Sequence, residues 1–289
     1  MNILKQTLMA AALGTVAMGA QATPFYIDLA GTGVGNGFAD ITNSATATSD
    51  AEELTIKYQS HTAISLTAPG ITVGDDIHTT GGFSSDGFSV NAVTGLNPSG
   101  ADFGFSGTSF AASDDWGLSY NFNLFGDVAS VTVGGDLADV TYHSGTIEVL
   151  LVKFDGLGAV ASTDRIMDLI VTGSDLDNNS NLLINGTLDF TGVAAAYVDM
   201  FNIQGGPSCA GDITFDGLAA CNPPMDFSFV IDQNLNAPVF ESFDPQTGIF
   251  TVGGNHDGSL RFDVPEPGTL FLLGSALFGM AGAARRKKA

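Results

Sequence analysis

The sequence predicts an all-β, β-sandwich-like domain over residues 23–264, flanked by an N-terminal signal helix (1–22) and a C-terminal single transmembrane helix within 265–289. Three observations lead there. Apolar and polar residues alternate with period two in segment after segment, as half-buried strands require. Glycine is abundant, at 37 residues, and lysine is nearly absent between Thr23 and Val264; this suits short strands and tight turns better than helices. Both ends are apolar and carry five of the nine bases, while the middle is acidic.

Taken in order, the chain opens with "MNILKQTLMAAALGTVAMGAQATPF". Lys5 is followed by the uncharged stretch Thr7 to Gly19, and Ala20 and Ala22 place small residues where a signal peptidase inspects them, predicting cleavage after Ala22. Residues 31–49 are weakly patterned and read as loop or edge strand. "GLSYNFNLFGDV" (117–128) alternates and runs into a Gly-Asp turn. "GTIEVLLVKFDG" (145–156) has the aliphatic density of a central strand, and "RIMDLIVTGS" and "LLINGTLDFTG" follow at strand spacing. A short helix is expected over Ala194–Phe201. "MDFSFVID" puts Met225, Phe227, Phe229 and Ile231 on one face. "GIFTVGGNHDGSLRFDV" reads as two strands around the polar turn Asn255–Gly258. One-sided strands must bury their apolar face against a second layer, hence the sandwich.

Charge excludes one class of function. Between Thr23 and Val264 four bases (Lys57, Lys153, Arg165, Arg261) stand against thirty acids, a net −26. Such a body repels phosphate backbones, so nucleic acid is not a partner. With 44% hydrophobic residues and 21 Phe, the acidity does not indicate a disordered chain.

Few residues carry chemistry in the body. Cys209 and Cys221 are the only cysteines, and in an exported chain they are expected to form a disulfide. In "DLDNNSN", Asp175, Asp177, Asn179 and Asn181 offer oxygen ligands at alternate positions, the pattern a loop uses to wrap calcium. The match is incomplete: Ser180 stands where a turn glycine belongs and Gly186 where a bidentate Glu closes the shell, so an Asx-rich turn is the plainer reading. His61, His78, His143 and His256 have no metal-ligand spacing. No GxSxG elbow occurs, and "GTGVGNG" lacks the lysine of a phosphate loop. Asp75-Asp76 and Asp114-Asp115 are pairs a glycosidase uses, but thirty acids make such pairs common by chance. Trp116, next to Asp115, offers a platform for a sugar ring, but a tryptophan so placed is more often core. No catalytic residue and no certain cofactor follows, and the body is expected not to be an enzyme.

At the other end, Gly268 to Ala284 is a 17-residue uncharged run, ~25 Å as a helix and close to the ~30 Å of a bilayer core. Pro265-Glu266-Pro267 precedes it and Arg285, Arg286, Lys287 and Lys288 follow, a basic stop that keeps the C-terminus cytoplasmic. Those three parts, in that order, resemble the PEP-CTERM sorting signal. The resemblance implies recognition by exosortase, a membrane protease-transpeptidase of Gram-negative, exopolysaccharide-producing bacteria. It also implies transient anchoring in the inner membrane, followed by delivery to the cell surface or the extracellular space. "FNLFGDV", "GGPSCAGDITFDG" and "GGNHDGSLRFDVPEP" resemble flocculation-associated PEP-CTERM proteins. The expected role is structural or adhesive, in biofilm or floc formation. The alternative is a carbohydrate-binding module acting on exopolysaccharide, with Trp116 and exposed Tyr or Phe as its platform; a secreted hydrolase comes after that.

Overall fold

The computed structural model describes residues 24–30, 47–83, 92–94, 116–154, 159–176, 181–204, 213–232 and 239–263. The signal segment, the sorting tail, Asp114, Asp115 and most of 31–49 lie outside them. No helix among the described residues is long and apolar enough to cross a membrane.

Among the described residues twelve strands follow one another, with one five-residue helix, α1 (Phe215–Ala219), between the ninth and tenth. They are β1 (Phe25–Ile27), β2 (Leu54–Ser65), β3 (Asp76–Gly82), β4 (Ala92–Thr94), β5 (Trp116–Val131), β6 (Leu137–Phe154), β7 (Val160–Leu176), β8 (Leu182–Asp189), β9 (Phe201–Ile203), β10 (Asp226–Asp232), β11 (Val239–Asp244) and β12 (Ile249–Asp263). The all-β expectation holds. The sandwich gives way to a different second layer. The large sheet runs β11-β12-β10-β8-β7-β6-β5-β3-β2-β4, and β12 also pairs with β2 along Ile249–Leu260. That ladder closes β2, β3, β5, β6, β7, β8, β10 and β12 into an antiparallel barrel. Apolar faces that a sandwich would bury against a second sheet are buried against one another across the barrel interior.

The faces follow from the alternation. On β2, Leu54, Ile56, Tyr58, Ser60, Thr62 and Ile64 point in, and Thr55, Lys57, Gln59, His61 and Ser65 are exposed. Apolar inside and polar outside is the reverse of a lipid-facing barrel.

Three local expectations are corrected. Gly126-Asp127 is not a turn: β5 continues through it with a register shift to Val131, and the turn comes at 132–136, closed by Thr132 N–H donating to Asp136 O at 2.8 Å. A Cβ on Gly126 would lie 1.8 Å from Thr141 O, so the glycine serves close strand approach. Asn255–Gly258 is not a turn either. β12 runs straight through it, since β2 offers Gln59, Tyr58, Lys57 and Ile56 as ladder partners and β10 offers Asp232 and Ile231. Backbone partners on both sides outweigh the turn preference of Asn, Asp and Gly. Ala194–Phe201 is a series of turns leading into β9, not a helix. The helix forms instead where Thr214 can cap it, accepting from Gly217 N–H at 3.1 Å.

One end of the barrel is plugged. The two-stranded β1–β9 sheet and α1 pack there, and Phe25, Phe201, Phe215 and Phe262 meet with ring centroids 4.7–6.3 Å apart. All four are at most 1% exposed.

Candidate functional site: a polar chamber in the barrel

Away from the plugged base, the interior changes character. Inward positions of β2, β3, β6 and β12 carry Tyr58, Ser60, Thr62, Thr79, Tyr142 and His256 in place of aliphatic residues. They surround a cavity of about 80 Å³, with Phe122, Phe229, Leu124, Ile231 and Val252 completing the wall. Leu137 and exposed Ala138, next to the β5–β6 turn, form part of its rim.

The polar groups bind one another. Tyr142 OH donates to Thr79 Oγ1 at 2.8 Å, Thr79 Oγ1 lies 2.9 Å from Thr62 Oγ1, and His256 Nε2 lies 3.1 Å from Ser60 Oγ. The His256 ring stacks on Tyr58, 5.0 Å between centroids at 27°. His256 Nδ1 is buried and has no hydrogen-bond partner among the described residues. Burial raises Tyr58 well above the ordinary phenol value, with the neighbouring Tyr142, Tyr120 and Asp257 adding to it. Burial carries Tyr142 up to about 12 against hydrogen bonds from Thr79 and Thr62. Burial also lowers His256, against the pull of Asp257. Among the described residues the chamber wall is therefore uncharged at neutral pH: no described Asp, Glu, Lys or Arg lines it.

The wall is thin along β12. Gly253, Gly254 and Ser60 also line an outer groove of about 280 Å³, where His61 Nδ1 meets Glu241 Oε1 at 2.9 Å. A side chain on Gly254 would run into the His256 ring, its Cβ only 2.5 Å from Nε2.

The predicted site residues fall elsewhere. Asp175 is exposed at the end of β7 and pairs with Leu183 across the hairpin. Asn181 precedes β8, while Asp177 and Asn179 lie outside the described residues. Among the described residues no group of three or more His, Cys, Asp or Glu is placed to hold a metal. Asp75 is fully buried and its carboxylate is taken up by Thr67 and Thr72, whereas Asp76 is exposed, so the pair is no acid–base couple. Trp116 is 3% exposed and belongs to the core, so it cannot stack on a sugar. His78 stacks on Phe125 and His143 lies beside Ser144. His256 was not distinguishable in the sequence from the other three; its role comes from strand pairing that no local pattern encodes.

Cys221 follows α1, half-buried against the core, and Cys209 lies outside the described residues. The expected result of peptide mapping on unreduced, alkylated protein is a single Cys209–Cys221 cross-linked peptide. Cys221→Ser should cost ~3 kcal/mol for so short a loop. Quantitative labelling of both thiols before reduction would exclude the bond.

Residues 263–287 match the model of the PEP-CTERM protein-sorting motif. Neither the search of curated proteins nor that of solved structures finds a match. The motif marks an exported protein sorted by exosortase across the membrane of a Gram-negative bacterium. It begins at Asp263, the last residue of β12, at the plugged base. The chamber lies toward the other end of the same strand, seven residues back at His256, or ~23 Å along a strand.

Proposed function

We propose that the body is a non-catalytic surface or extracellular-matrix component with a structural or adhesive role in biofilm or floc formation. One observation carries this reading most. The sorting motif begins at Asp263, at the plugged base, so a body tethered through it would present the chamber end of an acidic barrel outward. An exosortase substrate held this way meets its surroundings with the chamber and the turns around it. The flocculation-type motifs fit the same role. Carbohydrate binding, with exopolysaccharide as partner, is the second reading, favoured by the hydroxyl-rich chamber and no longer by Trp116.

Delivery has its own test. Signal peptidase is expected to leave Thr23 as the first residue, and exosortase to remove the tail near Pro265–Pro267. Intact mass spectrometry of material recovered from outside the cell should show both ends processed. A product retaining Arg285 to Lys288 would mean a permanent anchor. Loss of the protein should reduce aggregation of its host, and unchanged floc formation would overturn the adhesive role while leaving the sorting intact.

A further inference from the structure

We propose that the chamber is a binding site for a small neutral polyhydroxyl compound, a free polyol or the exposed diol of a sugar residue. It rests on the second reading above, that the body binds carbohydrate, and gives that reading a location.

Size comes first. About 80 Å³ is several times the ~10–15 Å³ that one water needs by the same kind of measure. The space suits a few waters or an organic guest of a few heavy atoms. Charge then narrows the choice. A wall with no Asp, Glu, Lys or Arg among the described residues gives an ion no charged partner for the hydration it would lose, and the acidic exterior repels anions before they arrive. A wholly apolar guest is no better matched. It would leave unanswered His256 Nδ1, which has no partner among the described residues, and the hydrogen-bonding capacity that Ser60, Thr62 and Thr79 do not spend on their neighbours.

A diol answers both demands. Its hydroxyl groups each donate and accept, as Ser60, Thr62 and His256 require. Its carbons lie against Phe122, Phe229 and Val252, and the C–H face of a polyol is apolar enough to gain from that contact. Entry is by the Ala138 rim, at the barrel end opposite the sorting motif.

The test uses the full chain in detergent with glycerol, methyl β-glucoside and dextran as neutral probes and acetate as the charged control. Binding is followed by the NMR resonance of the His256 ring and by melting temperature. Two variants accompany the wild type. Ser60→Ala removes one hydroxyl, the partner of His256 Nε2. Ala138→Trp, at an exposed position, blocks the rim. The expected result is a saturable shift of the His256 signal with glycerol or the glucoside and none with acetate. Losing one hydrogen bond in Ser60→Ala should weaken affinity about five- to tenfold, and Ala138→Trp should abolish the response. A response to dextran as well identifies a chain-end diol as ligand; a response to small probes alone identifies a free polyol. If wild type and Ala138→Trp respond alike, the shift is a bulk co-solvent effect and the proposal falls. If dextran retains both proteins equally, carbohydrate binding stands but its site is elsewhere. No response to any neutral probe means that the chamber holds only water.

Discussion

Phe262→Ala is expected to destabilise the body by about 4 kcal/mol, a large part of the ~5–15 kcal/mol that a domain usually has. Phe262 is fully buried, and its ring meets those of Phe215 at 4.7 Å, Phe25 at 5.2 Å and Phe201 at 6.3 Å. It is the inward residue of β12 that joins barrel to plug. Truncation would open a void in contact with β1, β9 and α1 at once, and those short elements have little backbone pairing with which to collapse into it. Phe262→Leu should recover part of the loss, because most of the volume returns. Phe240→Ala is the comparison: that ring is 58% exposed on β11, so its loss should cost about 1 kcal/mol or less. Denaturant unfolding of the three variants at one temperature measures all of this. Equal midpoints for Phe262→Ala and Phe240→Ala would show that the four-ring cluster is not what seals the base. The position also touches delivery, since Asp263 beside it opens the sorting motif; a frayed base would expose the end of β12 during export.

What could be read from the sequence was local. "MDFSFVID" announces β10 because a strand with one wet face has period two, and residues 145–156 announce β6 by their aliphatic density. The sorting tail was legible for a related reason: a protease reads it as a linear string. Closure of the barrel was not legible. It depends on β12 pairing with β2, strands near opposite ends of the described body, and nothing at either strand encodes the other. The misread Asn255–Gly258 segment shows the cost. Alone it has turn chemistry; between β10 and β2 it is continuous ladder, and that places His256 inside the chamber. For Trp116 the core reading holds, and the sugar-platform alternative falls, because exposure is a property of the closed barrel.

Asp75→Asn should cost about 2 kcal/mol at pH 7, from charge-assisted hydrogen bonds weakened or reversed at a buried group. The β2–β3 connection folds around this carboxylate. Its Oδ1 accepts from Thr67 N–H at 3.0 Å and from Thr67 Oγ1–H at 2.6 Å, and its Oδ2 accepts from Thr72 N–H at 2.8 Å. Its backbone is tied in as well, donating to Thr72 O at 3.1 Å and accepting from Val128 N–H at 3.0 Å. Asparagine keeps the shape but turns an NH₂ toward donors. Burial alone would raise the carboxyl's pKa; the bonds from Thr67 and Thr72 outweigh it and hold the group below its ordinary value. A carboxylate whose pKa is lower folded than unfolded stabilises fully above the unfolded value, near ~3.9, and loses that contribution as pH falls through the folded one. The gap between wild type and Asp75→Asn should therefore be constant from neutral pH down to about 5 and shrink below about 4. Asp189 and Asp244 are also held low, by bonds from Thr191 and from Gln246 and Thr247, whereas burial raises Asp168, Asp226 and Asp263. Those groups act alike in both proteins and cancel in the difference, so unfolding of the pair at pH 7, 5 and 3 isolates Asp75. Asp76→Asn, on the exposed face of β3, should change stability by less than about 0.5 kcal/mol at any of them. A gap that persists undiminished at pH 3 would show that asparagine disturbs the loop by its shape, and that the charge on Asp75 does not organise it.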